Sequence, residues 1–154
     1  MNLDFEYQKV INNLEKRFNF EKKEDSNFDF FKLDRSLKLM DLLESPNESN
    51  ALNIHIAGTN GKGSVSSLLS SVLSLNYKVG LYSSPHLYNY TERIKINKKN
   101  ISRKDFIHIY NFIEKKILEY EKMSGKTFSF FEVLTAMSFI YFKKNKVDIN
   151  VIET

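Results

Sequence analysis

The chain contains no cysteine, which excludes a disulfide framework, Cys-ligated zinc and thiol chemistry from this stretch. It has no apolar run of the roughly 18 residues that a membrane-spanning helix needs. The opening residues, MNLDFEYQKV, carry acids where a secretory signal carries bases, and no apolar segment follows them. These features predict a cytoplasmic protein with no membrane partner. An arginine-rich arm and an aromatic-interleaved basic run are also missing, as are internal repeats and low-complexity linkers. The net charge of +4 therefore reads as scattered lysine rather than a nucleic-acid face, and no nucleic-acid partner is expected.

What is present suffices for a core. Of 154 residues, 42% are hydrophobic and 14% aromatic, and 27% are charged, so the disorder signature of low hydrophobicity with high net charge is absent. From about Asp4 to Phe18, the residues Phe5, Val10, Ile11, Leu14 and Phe18 recur at helical spacing. A polar stretch from Glu21 to Asn27 ends that helix. A second one, Leu33 to Leu43, stops at Ser45-Pro46 because the residue before proline is pushed out of the helical region. Residues 1–50 are thus expected to form a helical N-terminal segment.

Residues 51–154 change character. Leu52-Asn53-Ile54-His55-Ile56-Ala57 reads as a strand with His55 packed in the core. After a Gly-rich loop, Val65, Leu68, Leu69, Val72 and Leu73 give a helix over 64–75, and Lys78 to Tyr82 a second strand. Strand, helix, strand over some thirty residues predicts a crossover unit of a parallel sheet. Ser102 with Asp105 predicts the capped start of a helix reaching about Lys122, which Ser124-Gly125-Lys126 ends. A helix over 131–144 and a strand over 147–152 complete an α/β fold. A strand at the very end of the chain, with no helix after it, predicts a truncated sheet whose last strand exposes its apolar faces.

The loop Gly58-Thr59-Asn60-Gly61-Lys62-Gly63-Ser64 sits between strand and helix, where backbone amides and the helix dipole converge on an anion. Lys62 adds a mobile positive charge for the outer phosphates of ATP. The loop departs from the usual Walker A pattern: Ile56 stands where its first glycine belongs, and Gly63 replaces the Ser or Thr after the lysine.

Past this loop, Tyr77-Lys78-Val79-Gly80-Leu81-Tyr82-Ser83-Ser84-Pro85-His86-Leu87 and Thr91-Glu92-Arg93-Ile94-Lys95-Ile96-Asn97 follow. Then come Phe128 to Met137 and Val147 to Thr154. In this order and spacing, the chain from Leu33 to Thr154 resembles the N-terminal part of folylpolyglutamate and dihydrofolate synthases, Mur-type ligases with a compact G-x-x-G-K-G-S loop. The resemblance implies an incomplete Mur-ligase-type ATP-binding domain over 51–154, with the C-terminal glutamate-binding domain of the family absent.

It also implies ATP and magnesium as cofactors, and dihydropteroate or folate with glutamate as substrates, joined through an acyl phosphate. Residue by residue, it implies ATP contacts from Gly58, Thr59, Asn60, Gly61, Lys62, Gly63 and Ser64, with Lys62 acting on the transferring phosphate. Ser84 and Glu153 become magnesium ligands, an oxygen donor set suited to a hard cation. Asp34, Ser129, Phe130, Phe131 and Glu132 become pterin contacts. Taken as residues alone, the two phenylalanines serve equally as core, Glu132 as an N-terminal helix charge, and Ser84 as a turn residue before proline. Another Mur-type amino-acid ligase and a non-catalytic nucleotide-binding remnant are the rival readings.

Overall fold

The computed structural model describes residues 2–17 and 33–154. The expected contribution of Phe18, and the polar stretch Glu21 to Asn27, lie outside those residues. The elements run α1 (Leu3–Glu15), α2 (Leu33–Leu42), β1 (Leu52–Ile56), α3 (Lys62–Leu73), β2 (Val79–Tyr82), β3 (Ile94–Ile96), β4 (Lys99–Asn100), α4 (Arg103–Ser124), α5 (Phe130–Lys144) and β5 (Ile149–Glu153).

The strands form one sheet in the order β1-β5-β2-β3-β4. The first three are parallel, with Ile54 and Leu81 both in register with Val151, and β3 and β4 are antiparallel additions. The sheet is therefore mixed where the sequence predicts a parallel one. The hairpin between β3 and β4 turns on Asn97 and Lys98, with φ of 45° and 68°. This double left-handed turn matches the twist of the paired strands but lacks the glycine that usually announces it. The crossover through α3 also skips a place, because β5 inserts between β1 and β2.

That insertion overturns the expectation of an exposed last strand. All five residues of β5 are buried, since a parallel strand with a neighbour on each edge is covered on both faces. On one face Val79, Leu81, Ile149 and Val151 form a small cluster with Ile54, Ile56, Leu69 and Leu73. On the other, Tyr82, Ile94 and Ile152 meet the large core contributed by the remaining helices, including Leu14, Leu39, Phe106, Ile113, Val133 and Phe142. Exposure falls on the edge strands instead: both residues of β4 are exposed, and in β1 Leu52 is 61% accessible, with Asn53 and His55 facing solvent. His55 is thus no core residue; its Nε2 lies 2.5 Å from the Thr154 hydroxyl.

The helices follow their sequence signals, with two corrections. Ser102 Oγ accepts from the Asp105 amide at 3.0 Å, capping α4 as its spacing predicts, and Gly125 in the left-handed region (φ 66°) closes it. In α1 the buried residues are Tyr7, Val10, Ile11 and Leu14, whereas Phe5 points to solvent. Arg17, just past α1, clamps that helix end to α4 through Glu114 (2.7 Å) and Glu121 (3.0 Å). In α3 the buried positions are Ser66 and Ser70, flanked by Leu69 and Leu73, while Val65, Leu68 and Val72 face outward. Small serines bring the helix close to the sheet, so the apolar stripe read from the sequence is only half inward. No helix among the described residues is long and apolar enough to cross a membrane.

Candidate active site

Three parallel strands deliver their C-terminal ends to one side of the sheet, where α/β proteins bind ligands. The loop after β1 supplies Thr59 to Gly63, the segment after β2 supplies Ser84, Pro85 and His86, and β5 supplies Glu153 and Thr154. With Tyr90, Arg93 and Phe130 these line a cleft of about 620 Å³. Gly58 and Ser64 flank that lining in sequence.

The loop is shaped by its glycines. Gly61 has φ 76°, a left-handed conformation that side chains disfavour, and it is the N-cap of α3 with no side chain closing the helix end. Gly61 offers the first amides of α3 no capping side chain, and Gly61, Lys62 and Gly63 line the cleft, an arrangement that favours an anion. Lys62 folds back over the loop, its Nζ donating to Gly58 O at 2.7 Å in an exposed position. A phosphate oxygen could take the place of that carbonyl.

Glu153 is the buried acid of the site. It is 3% accessible and its Oε2 has no hydrogen-bond partner among the described residues. Its two oxygens lie 3.7 and 3.9 Å from where a Cβ on Gly63 would be, so glycine there leaves the carboxylate open to the loop. A buried carboxylate oxygen without a partner is costly unless something supplies positive charge or a donor. Ser84, which lines the same cleft, adds a hydroxyl. This hard oxygen pair fits magnesium completed by phosphate and water oxygens, and the described residues hold no cluster of three or more His, Cys, Asp or Glu side chains that would form a metal cage by itself.

The segment after β2 is tightly tied. The Ser84-Pro85 peptide is cis, and the Ser83 amide donates to Arg93 O at 3.0 Å. Glu92 accepts from the amides of Leu87 (2.9 Å), Tyr88 (3.1 Å) and Asn89 (2.8 Å). The Leu87 amide foremost, then those of Asn89 and Tyr88, hold the Glu92 carboxyl below the usual carboxylate range. Leu87 and Tyr88 are displayed on this loop at 85% and 87% exposure.

Of the residues expected to meet a pterin, Phe130 lines the cleft and the others do not. Ser129 caps α5, and Glu132 closes the box, accepting from Ser129 N and Oγ at 2.7 Å each. Glu132 also pairs with Arg35 (3.0 Å) and accepts from Ser36 (3.3 Å), tying α2 to α5. Phe131 packs on Tyr82, ring centroids 6.1 Å apart, and Asp34 is exposed in the first turn of α2. Tyr90 and Arg93, which carry no role in the sequence reading, line the cleft instead. Arg93 lies within the run Thr91 to Asn97, but nothing in its spacing shows that a guanidinium would be buried to 2% there.

No protein-family model matches the chain. Among curated proteins it is 42% identical over 129 residues to the dihydrofolate synthase/folylpolyglutamate synthase of Mycobacterium tuberculosis. Its relatives are folylpolyglutamate and dihydrofolate synthases. That match covers 79% of the chain and 26% of the relative, and the Bacillus subtilis synthase is 34% identical over 124 residues, 29% of its length. Among solved structures, the Thermotoga maritima folylpolyglutamate synthase superposes with a TM-score of 0.84 at 37% identity, covering 99% of this chain and 34% of that one. The M. tuberculosis folylpolyglutamate synthase complexed with ADP gives 0.83 at 35% identity. The chain spans between about a quarter and a third of these synthases.

Proposed function

We propose that this chain forms the phosphate-binding part of an ATP-dependent carboxylate-amine ligase that adds glutamate to dihydropteroate or a folate. The observation that carries the reading is the presence in one cleft of a glycine-shaped helix start with no side-chain cap from its Gly61 N-cap and of a Glu153 carboxylate oxygen with no hydrogen-bond partner among the described residues. An anion and a cation are called for side by side, as in a metal-bound nucleotide. The synthase relatives, among them one complexed with ADP, narrow the chemistry to folate ligation.

In this reading the amides at the start of α3 bind phosphate oxygens, and Lys62 leaves Gly58 O to follow the charge that develops on the transferring γ-phosphoryl group. Ser84 and Glu153 would hold magnesium, which supplies charge neutralisation for the phosphates. The carboxylate of the acceptor attacks phosphorus, ADP leaves, and the resulting acyl phosphate is opened by the amine of glutamate with release of phosphate. The protein's share is positioning and electrostatics, with no covalent enzyme intermediate. Phe130 offers an apolar wall for a flat acceptor.

Titration calorimetry with a pteroate and, in parallel, a uridine-diphosphate muramyl peptide, each with ADP and magnesium present, separates this reading from another Mur-type ligase. Binding of the pteroate is expected. Preference for the muramyl nucleotide, or no pteroate binding, counts against it.

A further inference from the structure

His86 reaches the cleft from a segment that fixes both its orientation and its proton. The Nε of Arg93 donates to His86 Nδ1 at 3.0 Å. A guanidinium has donors only, so this ring nitrogen must be the acceptor, and the neutral ring then carries its hydrogen on Nε2. A doubly protonated ring would set two donors against each other. The ring is also held by its face: it packs on Tyr90 with centroids 4.1 Å apart, and the Tyr90 hydroxyl donates to Glu15 at 2.6 Å. Arg93 in turn is clamped, its guanidinium carbon 5.8 Å from the Tyr90 ring centre and 5.3 Å from that of Phe130. A cation held over aromatic faces in a buried place has few alternative positions.

We propose that His86 is a specificity residue of the cleft, a neutral ring presenting Nε2–H to an anionic ligand oxygen, and that Arg93 is its positioning residue. With the Nδ1 lone pair engaged by Arg93, His86 binds and orients rather than takes a proton. The ligand chemistry is a phosphate oxygen or a carboxylate oxygen. The first would come from the nucleotide and the second from the acceptor, so the inference rests on the nucleotide reading above and deepens it.

Long-range ¹H–¹⁵N spectra of the imidazole rings test this, because the chain has only three histidines and His86→Gln identifies the signals in question. At about pH 8, above the ordinary imidazole range, ligand-free protein is expected to show His86 as a single Nε2–H tautomer. An Nδ1–H tautomer, or averaging of the two, overturns the proposal. Adding ADP with magnesium in one arm and a pteroate in the other should shift Nε2 in the arm whose oxygen it meets. His86→Gln should weaken that same ligand by about 2- to 10-fold, the size of one net hydrogen bond. No Nε2 shift in either arm overturns the ligand half. Arg93→Met is expected to mix the tautomers with far-UV circular dichroism unchanged; a retained single tautomer in folded Arg93→Met removes Arg93 from the account. Failure of the nucleotide reading is distinguishable, since ADP then does not bind while the ligand-free tautomer is unaffected.

Discussion

Gly80 offers a quantitative test of how the sheet is packed. It lies in β2 between Asn150 of β5 and Ile96 of β3, on the face that meets α5. A Cβ built there would sit 2.7 to 2.8 Å from three atoms of the Phe142 ring, closer than real Cβ contacts come. Phe142 is 1% exposed within the main core, so its ring has no empty space to retreat into. Gly80→Ala therefore overpacks a filled site, which costs about 1–3 kcal/mol. Replacing a strand glycine returns roughly 0.5–1 kcal/mol of chain entropy, which offsets only part of this. A net loss centred on about 1 kcal/mol, and at most about 2.5 kcal/mol, remains, the central value equivalent to roughly 2–4 °C in Tm for a chain of this size. Thermal unfolding followed by circular dichroism measures it, and Phe142→Leu supplies the cross-check. If the ring is the obstacle, the double variant loses less than the sum of the singles by at least about 0.5 kcal/mol. A Gly80→Ala protein as stable as the wild type, or strict additivity with Phe142→Leu, would refute the reasoning.

Other perturbations probe the site and the helix that carries it. Glu153→Gln and Ser84→Ala should each raise the magnesium concentration needed for half-maximal ADP binding, because each removes a ligand oxygen or its charge; an unchanged titration in both makes these residues structural. The folded Glu92 carboxyl is depressed, so its contribution is fully present above the unfolded carboxylate value of about 4.3 and is lost as pH falls through the lower folded one. Amide exchange at Leu87, Tyr88 and Asn89 should accordingly stay slow down to about pH 4.3, and loosening near about pH 6 would contradict the triple hydrogen bond. Leu69→Ala should destabilise by at least about 1 kcal/mol, whereas Leu68→Ala, one position along the same helix, should stay within about 0.5 kcal/mol; equal effects in urea unfolding would mean α3 is rotated.

Much of this architecture was legible because local chemistry and tertiary structure agree. The Ser102 cap, the Gly125 stop, the run Val147 to Ile152 and the glycine loop before α3 are each specified by neighbours in sequence. What was not legible depends on order in space. Nothing in the run ending at Glu153 says that β5 inserts between β1 and β2, so a central strand reads as a stranded edge. Periodicity likewise shows that α3 is apolar but not which half of its stripe faces the sheet, a choice made by the small volumes of Ser66 and Ser70. The site divides in the same way. Glycines and Lys62 announce the loop that we propose holds phosphates, whereas the Arg93–His86 contact and the pairing of Glu132 with Arg35 join elements whose meeting only the fold decides.

The claim on which the rest depends is that the cleft at the start of α3 binds a nucleotide's phosphates through the loop and Lys62. Calorimetric titration of the wild-type protein and Lys62→Ala with ADP and magnesium tests it most directly, with circular dichroism to verify that both are folded. The account expects saturable binding by the wild type and a loss of about tenfold or more in the variant, the order of one charge-assisted hydrogen bond of about 1.5–3 kcal/mol. Equal affinity in the two proteins, or no binding by folded wild type, would contradict it.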